Sequence, residues 1–187
     1  RRVLFRSIKF QTEAAAADAR IASVGDAVLY ITDGRSATQR AAETGIANNV
    51  LLDLALDYTS ATRIAISCAQ QCSESARHEA IALLQAAGFQ VSRFNDVPGL
   101  AVMRTVAMLA NEAADAVNQG VCSAADVDAA MRLGVNYPRG PLAWADQIGV
   151  NIVRDVLRNL ANSYGEDRYR ISPRITQACY AQRSLHE

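Results

Sequence analysis

This sequence contains no G-x-G-x-x-G run. The tight turn and close backbone approach that a dinucleotide pyrophosphate needs are therefore missing from its pattern. The only glycine in the turn after the first strand signal is Gly34, and Arg35 follows it where a small residue would be required. Histidine is almost absent, with His78 and His186 the two present. His78 falls next to Glu79, and adjacent helical positions do not face one another, so it reads as an exposed surface residue. His186 lies one residue from the end and is expected to be disordered. Excess charge is lacking too: 19 basic residues balance 19 acidic ones, leaving no bulk attraction for nucleic acid or an anionic membrane. No apolar run approaches the ~20 residues that span a bilayer, and no signal peptide is visible, so a cytoplasmic protein is the default. Of the four cysteines, Cys68 and Cys72 form a C-x3-C pair with His78 the nearest further ligand type and no second pair after it. Reduced, mostly buried thiols are favoured over a metal site. There is no initiator Met, and residues 1–8 do not fit the pattern that follows; they read as a translated adapter, a non-native scar on a fragment of a longer protein.

The remainder has the balance of a soluble globular protein, half hydrophobic and 20% charged, and is long enough for one or two domains. Residues 12–20 are Ala-rich and helical in pattern. Apolar runs at 27–32, 49–54, 63–68 and 89–94 read as strands, separated by helical stretches at 37–43 and 73–87, the latter capped by Ser73. Alternation of this kind predicts a small parallel sheet.

The stretch 96–149 reads differently. Asp96 is a candidate N-cap, with Pro98 in the first turn of a long helix. Val102, Met103, Val106, Ala107, Ala110, Ala113 and Val117 form one stripe along it, and Gly120 closes it. Ser123 and Asp126 make a capping-box pattern, after which Val127, Ala130 and Met131 supply an inner face up to Gly134. A stiff loop, Asn136-Tyr137-Pro138-Arg139-Gly140-Pro141, leads into a short helix carrying Trp144 and Ile148. Beyond Gly149, Asn151 is a candidate cap for a helix with Ile152, Val153, Val156, Leu157 and Leu160 inward. Residues 166–170 form a charged turn, and Pro173 opens a last helix with Ile175, Ala178 and Cys179 inward.

These signals in this order resemble the C-terminal domain of the 3-hydroxyacyl-CoA dehydrogenases. The matching residues are D-V-P-G-L at 96–100, Arg104, Asn111-Glu112-Ala113, Asp126-Val127-Asp128, Ala130-Met131, Leu133-Gly134, Tyr137-Pro138 and Gly140-Pro141. The likeness is greatest to the second C-terminal repeat of the long bacterial members that handle 3-hydroxybutyryl-CoA-type or 3-hydroxyadipyl-CoA-type substrates, the latter in phenylacetate catabolism. Residues 9–95, with Y-I-T-D-G-R at 30–35, resemble the reduced Rossmann-like segment that precedes that repeat. The resemblance implies an α/β domain over 9–95. It implies an all-α domain of the 6-phosphogluconate-dehydrogenase C-terminal type over 96–187. It also implies a parent oxidoreductase of fatty-acid or phenylacetate-type metabolism that oxidises (S)-3-hydroxyacyl-CoA with NAD.

Such chemistry needs a His general base oriented by a Glu, and in the family both sit in an N-terminal NAD domain that this sequence lacks. Active members also place an Asn one residue before an Arg on the first C-terminal helix. Met103 occupies that position here, before Arg104, and a thioether cannot donate the amide's hydrogen bond. No catalytic, cofactor-binding or metal-binding residue is therefore expected in this segment. It reads as a packing or dimerisation repeat whose partner is the preceding catalytic domains of the parent chain or a second copy, with the small residues and Met of the long helix suiting such an interface and Met103 itself read as core or interface packing. Arg104 and Glu112 are read either as a salt bridge or as a structural link to that neighbour. Tyr137, Arg139 and Trp144 are candidates for lining an acyl-CoA tail, with Arg139 on a CoA phosphate; the alternatives are a solvated loop arginine and a core tryptophan. A stand-alone acyl-CoA binding module and a self-sufficient dimeric enzyme are the rival readings.

Overall fold

The uninterrupted apolar run after Asn49 becomes the middle of a sheet. The structure, a computed structural model, describes residues 20–187. Five strands lie side by side in chain order: β1 Arg20–Val24, β2 Ala27–Ile31, β3 Asn49–Leu52, β4 Arg63–Cys68 and β5 Gln90–Arg93. β2 pairs with β3 and β4 with β5 in parallel, each pair joined through a helix: α1 Ala37–Thr44 and α2 Glu74–Ala86. β1–β2 and β3–β4 are antiparallel. All four residues of β3 are buried, as a central strand covered on both faces demands, whereas β5 at the edge has none fully buried. Packed on the sheet are Ala37 and Ala41 of α1 and Ala76, Ala80 and Leu84 of α2, with Phe89 and Leu100 in the same core.

The expected fold class, a small α/β sheet followed by a helical domain, is present. Residues 12–19 of the predicted first helix, like the first eight residues, lie outside the described residues. Arg20 opens a strand instead, one that sequence reading missed. β1 is held by a single neighbour, and its hairpin with β2 turns at Gly25 (φ +50), where an added Cβ would meet the Glu79 carboxyl oxygen at 2.0 Å.

The described residues divide into two compact units, 20–103 and 104–187. In the second, α3 (Val102–Asn118, its first two residues in the first unit) buries Val106, Ala107, Ala110, Ala113 and Ala114. α4 (Ala124–Gly134) has the predicted capping box, Ser123 and Asp126 each bonding the other's backbone N–H. It packs on α5 (Pro141–Ile148), and α5 on α6 (Val150–Tyr164). α6 buries Val153, Val156, Leu157 and Leu160 and packs on a 3-10 turn, Asp167–Tyr169, and on α7 (Pro173–Ala181). Among the described residues no helix is long and apolar enough to cross a membrane.

Three local expectations are overturned. The long helix does not begin at Pro98: Gly99 (φ +74) and Leu100 (φ +53) make a left-handed turn, and helical geometry starts only at Val102. Asp96 therefore lies too far back to cap it. Asn151 is not a cap either, since α6 starts at Val150 directly after Gly149 (φ +108), and a Cβ there would lie 3.0 Å from Asn151 Oδ1. On α4, Ala130 is exposed; the buried positions are Ala124 and Asp128.

Candidate functional site

Each of three helix starts is satisfied by an aspartate distant in sequence. Asp96 accepts from the backbone N–H groups of Ala37 (2.6 Å) and Thr38 (2.8 Å) at the start of α1, while Ser67 Oγ donates to its Oδ1 at 2.9 Å. Asp53, 1% exposed at the end of β3, accepts from Ala101, Val102 and Met103 N–H at 2.9, 2.8 and 2.9 Å. Asp128 accepts from Leu142 and Ala143 N–H, both at 2.9 Å. A helix leaves its first amides unpaired, and a carboxylate meets both the hydrogen-bonding need and the positive end of the dipole.

In a dinucleotide fold the first crossover helix offers those amides to pyrophosphate. Here α1 offers them to Asp96, and the turn before it is closed by ion pairs. Asp33 lies 2.5 Å from both the Arg35 and the Arg40 guanidinium. Arg40 is fully buried, stacked 4.0 Å over the Tyr30 ring. Arg35 also bonds Glu43 at 2.7 Å and holds that carboxyl below its ordinary range.

The second unit carries a different cluster. α5 starts at Gly140, which has no side chain to act as a cap, and Asp128 reaches it from α4. A Cβ at Gly140 would sit 2.1 Å from Asp128 Cγ, so this approach requires glycine. His186 bridges two acids, Nδ1 at 2.7 Å from Asp146 Oδ2 and Nε2 at 3.1 Å from Asp128 Oδ2. Asp146 Oδ1 also takes the Leu185 N–H at 2.7 Å, the Leu185 carbonyl accepts from Arg174 at 2.6 Å, and the Leu185 side chain is fully buried. His186, expected to be disordered, is thus tied down, because the chain end has its own apolar anchor and polar clamp. An open cavity of ≈ 420 Å³ lies beside it, lined by Asp128, Arg132, Pro138, Arg139, Ala143 and His186 among others.

The residues singled out from sequence are dispersed. Arg104 donates to Tyr164 Oη at 3.0 Å and to Tyr169 Oη, with the two rings stacked at 5.3 Å beneath its guanidinium; Glu112 is exposed and is not its partner. Arg139 donates to Gln147 Oε1 and sits on the cavity. Tyr137 is half-buried, and Trp144, 8% exposed, belongs to the core of α5. Met103 is 1% exposed, and Val106, Ala107, Ala110 and Ala113 of the α3 stripe are buried with it, while Val117 is half-buried and Val102 is exposed. His78 is exposed. Cys72 is buried and Cys68 half-buried, and burial raises both thiols above their ordinary range. Sequence reading missed Asp53 and the roles of Asn111 and Asp128. Asn111 is 3% exposed, donates to the Arg170 carbonyl at 2.8 Å and accepts from Ser172 N–H at 2.8 Å. For Asp128 the available signal was a charge at a buried phase of α4.

A reduced sheet with its first helix start filled, followed by a helical domain built on a Pro-Gly loop, defines a class of dehydrogenase segment. Residues 29–98 match the family model described as the 3-hydroxybutyryl-CoA dehydrogenase reduced Rossmann-fold domain, and residues 99–185 that of the 3-hydroxyacyl-CoA dehydrogenase C-terminal domain. The chain belongs to the 3-hydroxyacyl-CoA dehydrogenase family, a family of NAD-dependent enzymes. It is 41% identical over 150 residues to the 3-hydroxyadipyl-CoA dehydrogenase of Escherichia coli K12, covering 80% of this chain and 30% of that one. It is 35% identical over 101 residues to a probable 3-hydroxybutyryl-CoA dehydrogenase of Bacillus subtilis 168, covering 54% and 35%. The crystal structure of the E. coli K12 3-hydroxybutyryl-CoA dehydrogenase superposes with a TM-score of 0.79 at 39% identity, over 85% of this chain and 33% of that one. The (S)-3-hydroxybutyryl-CoA dehydrogenase of Ralstonia eutropha shares the fold, with a TM-score of 0.71 at 23% identity, over 86% and 59%. The chain thus spans about a third of the length of the curated relatives it matches.

Proposed function

We propose that this segment is a non-catalytic packing repeat of a longer NAD-dependent 3-hydroxyacyl-CoA dehydrogenase, whose hydride transfer is carried out by residues elsewhere in the parent. The observation that carries the reading is Asp96 on the amides of α1: the site where this type of fold takes a cofactor phosphate already holds a carboxylate of the chain itself. A phosphate-bearing ligand there would meet like charge. Met103 adds to this, because it stands where the family resemblance places an amide donor and offers only a buried thioether. Neither histidine supports proton abstraction. His78 is exposed on α2, and both nitrogens of His186 face aspartates.

The surface that would pack on the rest of the parent, or on a second copy, lies around α4 rather than along the mostly buried α3 stripe. Leu133 is 84% exposed, Val121 73% and Val135 52%, which places large apolar groups outside the core on and around α4. Sedimentation velocity of the chain should show concentration-dependent self-association that Leu133→Asp weakens. A monomer at every concentration removes a second copy as the packing partner. Oxidation of a 3-hydroxyacyl-CoA by the isolated chain with NAD, followed by NADH absorbance, is expected to be nil. Turnover would instead establish a self-sufficient enzyme. A parent acting on 3-hydroxyadipyl-CoA or 3-hydroxybutyryl-CoA follows from the same likeness.

A further inference from the structure

Arg139 stands out in the sequence only as a loop arginine, but the fold sets it on one concave surface with Arg132 and His186. Arg132, near the end of α4, is exposed and has no hydrogen-bond or ion-pair partner among the described residues. Arg139 is bonded to the neutral side chain of Gln147, which leaves its charge uncompensated. The acid in the cavity wall is already engaged. Asp128 Oδ1 takes the Leu142 N–H, and Oδ2 takes the Ala143 N–H and faces His186 Nε2. Among the described residues its ion-pair partner is His186, and neither arginine pairs with it. Two unpaired guanidinium groups on one concave wall raise the local potential, which a bound anion relieves. Their planar forks match the oxygens of a phosphoryl group better than a point charge would. A volume of ≈ 420 Å³ exceeds what one phosphate fills and lies at the small end of the roughly 300–1,000 Å³ range of ligand sites.

We propose that this cavity binds a phosphoryl group through Arg132 and Arg139, carried either by free diphosphate or by a nucleotide-containing ligand such as coenzyme A. The docked chain end supplies one wall through His186. The site lies entirely within residues 104–187 and does not rest on the packing role. Calorimetric titration of the chain with inorganic diphosphate and with coenzyme A, in phosphate-free buffer at low salt, tests it. Saturable binding that weakens with salt is expected, with Arg132→Ala and Arg139→Ala each reducing affinity about tenfold. The double variant should bind neither probe. Both side chains are exposed, so the variants should keep the wild-type circular dichroism. Arg158→Ala, an exposed arginine on α6 paired with Asp155, serves as the charge control and should bind as wild type. Diphosphate binding that is lost in the double variant identifies a free-anion site. Coenzyme A binding alone, lost in the same variant, identifies a carrier site. No saturable binding of either probe, or unchanged binding by the double variant, overturns the proposal.

Discussion

In the α/β unit the start of α1 is filled by Asp96, and the turn beside it is closed by the Asp33–Arg35–Arg40 ion pairs. In the helical unit the start of α5 is filled in the same way by Asp128, yet the space next to it stays open, with two arginines facing it. The chemistry of the cap is shared, but its consequence for ligands differs. A carboxylate on helix amides removes an anion site where no cation accompanies it that lacks a partner. It leaves one beside it where the neighbouring cations are unpaired. What a helix start contributes to binding thus depends on the charges around it more than on the dipole, whose effect fades within one turn.

The largest test of this contrast is Asp53→Ala. Three amides, that of Met103 buried and those of Ala101 and Val102 part-buried, lose a charged acceptor at once, and each such bond is worth roughly 1.5–3 kcal/mol. Even with strong non-additivity the loss should be about 3 kcal/mol or more in urea unfolding. A loss below about 1 kcal/mol would mean that water replaces the carboxylate easily and that capping does not organise this turn. Gly140→Ala comes next. The new methyl cannot coexist with Asp128 at its present position, so the cap must be displaced, at about 2 kcal/mol. The Leu142 and Ala143 amide resonances should shift with the fall in melting temperature; unshifted amides would show that α5 keeps its cap.

Asp96→Ala should cost about 1–2 kcal/mol, less than the Asp53 change, because Ser36 still accepts from Gln39 N–H in the same turn. It also breaks the comparison directly. Diphosphate should then move the Ala37 and Thr38 amide signals in the variant and leave them unmoved in the wild type. Equal movement in both would mean that Asp96 never closed the site. The smallest effect concerns Asp57, whose carboxyl is held down to about 2, chiefly by the Thr59 hydroxyl and with help from Ser60 and the Thr59 amide. A folded value below the ordinary 3.8 means that its contribution is complete above pH 4 and is lost as pH falls towards 2. A carboxyl NMR titration should show that low midpoint, and Thr59→Val should raise it. An unmoved midpoint in the variant would rule out the Thr59 hydroxyl as the cause.

Periodicity carried most of the fold. β4 and α5 fall where the apolar runs and Pro141 place them, and the Ser73 and Ser123 caps are local patterns that a sequence displays in full. β1 escaped because an edge strand needs only one partner and shows little burial signal. Sequence places Asp96 on the nearest helix, because only neighbours along the chain are visible there. It serves instead a helix that begins 59 residues earlier. Of the site, Arg139 was noticed for its loop, whereas Arg132 and His186 carry no local mark that sets them apart from solvated or frayed residues. From sequence Arg104 reads as forming a salt bridge, or a link to a neighbouring repeat, together with Glu112 of the same helix, but two tyrosines from beyond α3 take its guanidinium.

By itself, the sequence determined most of the elements, the family likeness and the lack of a dinucleotide fingerprint, because each is written in contiguous residues whose spacing follows helix and strand geometry. Tertiary structure alone decided which aspartate caps which helix, that the middle of the α3 stripe is buried, and that residues 185–186 return to complete a cationic cavity. Those facts depend on groups brought together from 14 to 59 residues apart, and no local periodicity encodes such meetings.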